Sequence, residues 1–286
     1  MIARANRFML FLVLFIMAFG TAFFFAVSFI ETKYDVTVNI QIYRAVSNCV
    51  SFAAPCALYM AAARLNFFKT VPFKIPEPAN LLLIICASVL AAPTLMLISA
   101  VTSLVFTNNA AAYLEELGDA PIAAALSAAA LTPAVFEEIA FRGVMLSELK
   151  HAGIKKAALM SGFFFGLIHM DLQQFPYAFL MGILFAYLVY YTRSVLASIL
   201  SHFTLNAASV AVAYAYGPDG SSFPLIPALA VSLPALVFTV RLFVSYNKKN
   251  VVEESAIGDG AAPEKVFTWE FWAVIALYII AVAAFH

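Results

Sequence analysis

Apolar residues run along this chain in long blocks separated by short polar stretches. A helix that crosses a hydrocarbon core of roughly 30 Å needs about 20 apolar residues. Blocks of this kind are read at 8–30, 40–63, 80–106, 121–149, 156–170, 175–192, 194–216, 222–246 and 267–285. The pattern predicts an all-α, polytopic transmembrane helical bundle of eight or nine spans. The doubtful place is the short block at 156–170 and the turn from Asp171 to Pro176 that separates it from the next. No repeat or soluble domain interrupts the series, so residues 1–286 read as a single integral membrane domain. The first block follows Arg4 and Arg7 and superficially resembles a secretory signal. It is longer than an ordinary signal core and lacks a small-residue cleavage site, so it is taken as a retained first span. Asn247 to Val266, with Gly258, Gly260 and Pro263, reads as a flexible linker before the last span.

Composition agrees: 64% of residues are hydrophobic and 11% charged, and the mean hydropathy is +0.94. Soluble domains lie far from these values. The 16 basic and 16 acidic residues cancel, so net charge gives no case for a nucleic-acid partner. Their distribution is more informative, because cytoplasmic loops collect Lys and Arg. Alternate loops of the nine-span arrangement hold thirteen basic residues (4, 7, 64, 69, 74, 150, 155, 156, 193, 241, 248, 249 and 265) against two, Lys33 and Arg44. This predicts a cell-membrane protein with a cytoplasmic N-terminus and a C-terminus on the other side. Cys49, Cys56 and Cys86 lie in apolar runs without metal-ligand or disulfide spacing and read as small core residues.

Ionisable groups inside membrane helices are costly and usually face a partner or a water-filled cavity. Here they concentrate between residues 137 and 206: Glu137, Glu138, Arg142, His169 and His202, joined by the polar Asn206. Glu138 and Arg142 are four residues apart with the acid first, a spacing that lets them pair on one helix face. Glu137 is left without that local partner. His202 and Asn206 are one turn apart and point the same way, as a pair of donors. Measured from the nearest cytoplasmic charge at about 1.5 Å per residue, Glu137, His169 and Asn206 fall at one depth of roughly 20 Å, with His202 about a turn nearer the cytoplasm. Pro133 should kink or restart the helix ahead of Glu137, and Gly162 and Gly166 offer a face for close helix approach beside His169.

In order and spacing these residues resemble the CPBP intramembrane proteases, the family of CAAX proteases and bacteriocin-processing enzymes that includes the eukaryotic Ras-converting enzyme. Three motifs carry the resemblance: EExxxR at Glu137 to Arg142, FxxxH at Phe165 to His169, and HxxxN at His202 to Asn206. Each is weak alone and the ordered set is strong. The resemblance covers a catalytic core of about 120–216. It implies a metal-independent glutamic endopeptidase without a cofactor, in which Glu137 activates water with help from His169, and His202 and Asn206 stabilise the oxyanion. It further implies that Glu138 and Arg142 orient the motif helix and that Phe165 packs beside the site. The partners implied are the bilayer and a membrane-associated peptide or protein, lipid-modified in some relatives.

Three other readings use the same residues. A proton-coupled transporter also carries Glu and His inside helices, although clustering in one region without inverted repeats disfavours it. A zinc enzyme could draw ligands from Glu137, His169 and His202, whose spacing matches no HExxH helix. A catalytically silent scaffold or immunity protein could share the fold, and the intact motifs argue against that.

Overall fold

The computed structural model describes residues 2–116, 120–252 and 265–285, and every regular element among them is helical. In chain order these are α1 (Ile2–Tyr34), α2 (Ile40–Ala62), the short α3 (Phe67–Thr70), α4 (Pro78–Thr102), α5 (Asn109–Glu116), α6 (Ile122–Ala152), α7 (Ile154–Leu167), α8 (Phe175–Thr192), α9 (Val195–Tyr216), α10 (Leu225–Val252) and α11 (Trp269–Phe285). Among the described residues seven helices, α1, α2, α4, α6, α8, α9 and α10, are long and apolar enough to cross a membrane. The protein is a polytopic helical bundle. Two of the nine expected spans fall short: α7 has 14 residues and α11 has 17. At 1.5 Å per residue α7 is about 21 Å long, and most of its side chains are buried rather than turned to lipid.

Other boundaries differ for local reasons. The expected span to residue 106 ends at Thr102, where Thr102 and Ser103 turn their hydroxyls back onto the last helical carbonyls. The polar stretch after it forms α5, a helix the apolar pattern did not announce. The linker read at Asn247 to Val266 is helical as far as Val252, while Gly258, Gly260 and Pro263 lie outside the described residues, as do Asp119 and His286. Of the three cysteines, all unpaired, Cys56 is buried and Cys49 and Cys86 are half-buried.

One core of apolar side chains joins the first half of α1 (Phe8, Leu12), α2 (Phe52, Cys56), the second half of α6 (Phe141, Met145), α7 (Phe164, Phe165), α8 (Phe185) and α11 (Phe271). The second half of α1 instead exposes Phe24, Phe25 and Phe29, as expected of side chains that face lipid. Ser51, Ser88 and Ser201 are buried, and the Ser88 and Ser201 hydroxyls meet at 2.7 Å. That bond ties α4 to α9 one residue before His202.

Two glycines set how closely α7 and α8 approach. A Cβ on Gly182 would lie 2.5 Å from the Cα of Gly162, and one on Gly162 would lie 2.8 Å from the carbonyl oxygen of Phe179. Only hydrogen fits at that crossing, which realises the close approach read from Gly162 and Gly166.

Candidate active site

The helix that carries the carboxylates is irregular where they sit. Within α6, Ser127–Leu131 and Ile139–Met145 are π-helical, and the α-helical turns Thr132–Glu138 lie between them. π segments add a residue to a turn and recur at functional sites. Pro133 explains part of the first one. It has no N–H to offer the carbonyl four residues earlier, that of Ala129, and the helix widens there without breaking. The expected kink is thus a wide turn in a continuous helix. The Ala129 carbonyl is met from another helix, because Asn206 Nδ2 donates to it at 3.1 Å.

Glu138 is fully buried and sits between two cations or cation-forming groups. Arg142 Nη1 donates to its Oε1 at 2.9 Å, and His202 Nδ1 lies 3.0 Å from the same oxygen. The i,i+4 pair read from the sequence is therefore present, with a third member from α9. The other arm of Arg142, Nη2, donates to the carbonyl of Gly182 on α8 at 2.9 Å. Its guanidinium lies 4.5 Å from the Phe165 ring centre and 5.1 Å from that of Phe185. Flat cationic faces against aromatic rings are favourable when water is excluded.

Phe165 is the common floor of the site. Its ring meets both histidines edge-on, His169 at 5.2 Å and His202 at 5.7 Å between centroids. Its carbonyl is 2.8 Å from His169 Nδ1. A carbonyl only accepts, so Nδ1 carries the proton and Nε2 is the nitrogen His169 has left to offer. By the same reasoning His202 commits Nδ1 to the Glu138 carboxylate and keeps Nε2. His202 also stacks on Phe185 at 5.1 Å.

Glu137 differs from its neighbour. It is 7% exposed, and its Oε1 accepts from Asn48 Nδ2 on α2 at 3.2 Å. Its Oε2 has no hydrogen-bond partner among the described residues. Asn48 was not anticipated by motif or spacing. The available signal was an Asn inside the apolar block 40–63, a polar side chain that a membrane helix keeps only with a partner.

The candidate residues thus divide. Glu138, Arg142, His202, Phe165 and His169 form one packed cluster. Glu137 is adjacent in sequence but held from α2, and Asn206, one turn beyond His202, turns toward a cavity of about 450 Å³ that it lines with Met96, Ser99, Asn108, Tyr177 and Ser209. The sequence suggested His202 and Asn206 as a pair of donors; each has one ring or amide nitrogen already engaged. Among the described residues no three His, Cys, Asp or Glu side chains gather as a metal site.

The loop after His169 is latched. Asp171 is buried, with Oδ1 accepting from the backbone N–H groups of Gln173 and Gln174 and Oδ2 from Asn109 of α5 at 2.7 Å. Gln173 in turn donates to the Ser99 hydroxyl at 2.8 Å. Asn109 and Gln173 therefore tie the His169 loop to α5 and α4.

A bundle of apolar helices with acids, imidazoles and an arginine paired at its centre defines a polytopic membrane protein with a polar functional core. Comparison with known families is specific about which one: residues 119–208 match the model of the family described as Type II CAAX prenyl endopeptidase Rce1-like. All three motifs fall inside that match, which supports a likeness to the CPBP, or CAAX protease, family over this stretch of the chain. No curated protein and no solved structure matches the chain. That likeness suggests an intramembrane protease of the CAAX type with a membrane-associated peptide as substrate.

Proposed function

We propose that the protein is an intramembrane glutamic endopeptidase that hydrolyses peptide bonds of membrane-associated substrates, with residues 120–216 as its catalytic core. One observation carries the reading: two adjacent buried carboxylates have opposite surroundings. Glu138 is neutralised through one oxygen by Arg142 and His202, while Glu137 is held by a neutral amide; each keeps a second oxygen with no hydrogen-bond partner among the described residues. Paired groups pushed into different environments are how a site assigns different roles to chemically equal side chains.

In this mechanism Glu137 takes a proton from water, and His169 Nε2 accepts a second hydrogen bond that orients it. The hydroxide oxygen attacks the carbonyl carbon. The developing oxyanion is met by the second amide N–H of Asn206 and by His202 Nε2, which donates when the ring carries both protons. Glu137 then returns its proton to the leaving nitrogen, and the products are an acid and an amine. Glu138 and Arg142 act through His202 and the helix frame.

The charge distribution supports a cytoplasmic N-terminus and a C-terminus on the opposite side. The test of function compares wild-type protein with Glu137→Gln, purified in detergent and offered prenylated and unprenylated peptides. Wild type should cleave, with or without a chelator, and Glu137→Gln should lose at least about 1,000-fold in kcat. Cleavage with no gradient across a membrane separates this reading from proton-coupled transport. Wild-type rates from Glu137→Gln would end it.

A further inference from the structure

Asn48 belongs to none of the three motifs. We propose that it is the positioning residue of Glu137, fixing the carboxylate by one oxygen so that the other serves the reaction; this rests on Glu137 being the base. A neutral donor suits that task. Arg142 and His202 hold Glu138 by charge and thereby occupy it, whereas an amide N–H fixes the rotation of Glu137 without cancelling its charge.

The position of Asn48 is itself fixed twice. Along α2 it packs against the α6 turn that carries Glu137. One turn earlier on the same face, Arg44 donates to Glu116 of α5 at 2.9 Å and lies 4.8 Å over the Tyr113 ring. These anchors set the rotation and height of α2, and with them the direction of the amide.

The bond is also incomplete. Asn48 Oδ1 and Glu137 Oε2, each one carbon away from it, are both buried acceptors with no partner among the described residues. An unmet buried acceptor is costly, because it has given up water without a replacement. Glu138 Oε2 is unmet as well, but its carboxylate is already paired with two cation-forming groups, so it is at Glu137 that a donor from outside the chain, water, is wanted. Glu137 Oε2 is closed off in this arrangement, so water reaches it when side chains around the site shift. Water then gives one proton to Glu137 Oε2 and its other hydrogen bond to His169 Nε2, while Asn48 holds the carboxylate in place. If Asn48 were only a link between α2 and α6, its bond would add a little stability, as polar links between membrane helices do, and would not touch turnover.

The experiment measures kcat and KM for wild type, Asn48→Leu, Asn48→Gln and Glu137→Gln on one peptide that wild type cleaves, per folded molecule. Asn48→Leu should lower kcat by about 10- to 100-fold, as misplacement of a reacting group does, with KM within about twofold and Asn48→Gln recovering most of the loss. A wild-type kcat in Asn48→Leu beside an inactive Glu137→Gln would overturn the role of Asn48 alone. An active Glu137→Gln would instead remove the base assignment on which it rests. Should Asn48→Leu fail to fold, the Asn48→Thr protein is examined by infrared difference spectroscopy, with Glu137→Gln identifying the Glu137 carboxylate band. A shifted band supports the proposal and an unmoved one overturns it.

Discussion

The Glu138 carboxylate and His202 Nδ1 lie 3.0 Å apart across 64 residues of chain, and Arg142 shares the same oxygen. Removing one member of a buried charged pair leaves the other uncompensated and costs about 3–5 kcal/mol, whereas replacing both with apolar groups of similar size is often neutral. Arg142→Met should therefore unfold much more readily in detergent than wild type, and Glu138→Met/Arg142→Met should regain most of that stability. Peptidase activity should stay low in the double variant, because His202 has lost its carboxylate. Thermal unfolding and cleavage measured side by side check both halves.

Gly182→Ala should act on the same cluster from behind. The new methyl would lie 2.5 Å from the Gly162 Cα, so α7 and α8 must move apart, and the Gly182 carbonyl that holds Arg142 moves with them. A loss of about 1–3 kcal/mol is expected. Gly20→Ala, where a Cβ meets nothing within 4 Å, should be neutral or slightly stabilising by helix propensity.

These two cases show what was legible in the sequence. The Glu138–Arg142 pair follows from helical spacing, and the small-residue crossing of α7 and α8 from two glycines four apart. The third partner, His202, could not be read, because a contact across separate helices depends on how α9 is rotated, which the adjoining Ser88–Ser201 contact with α4 helps set. Asn48 was overlooked for a related reason: Gln41, Arg44, Asn48 and Ser51 recur on one face of α2, but nothing in the sequence says that this face meets the helix that carries Glu137. The apolar blocks gave the bundle itself, but not that α7 would be a half-length interior helix, since burial by protein and burial by lipid select the same side chains.

Asp171→Ala should loosen the loop after His169. It removes acceptors for three donors, from Gln173, Gln174 and Asn109, whereas Asn109→Ala removes one. Hydrogen exchange across 168–174 should rise sharply in the first variant and slightly in the second, with turnover falling in the same order. Equal exchange in both would show that the latch does not hold the loop.

The orientation is open to labelling. In a variant lacking Cys49, Cys56 and Cys86, a cysteine at Asp219 should react with a membrane-impermeant maleimide added outside intact cells. One at Lys155 should react only after permeabilisation. The opposite pattern would invert the topology.

The wide turns of α6 separate the effect of residue count from that of residue type. A π turn absorbs one residue more than an α turn, so deleting a single alanine from Ser127–Leu131 would close the wide turn and leave the helix on either side facing as it does. The same deletion in the regular α9, of Thr204 for example, would swing Asn206 by about 100° from His202. The buried alanines of the wide turn are thus tolerant of shortening and intolerant of enlargement, and scanning by deletion would tell them from the regular helix where scanning by replacement does not.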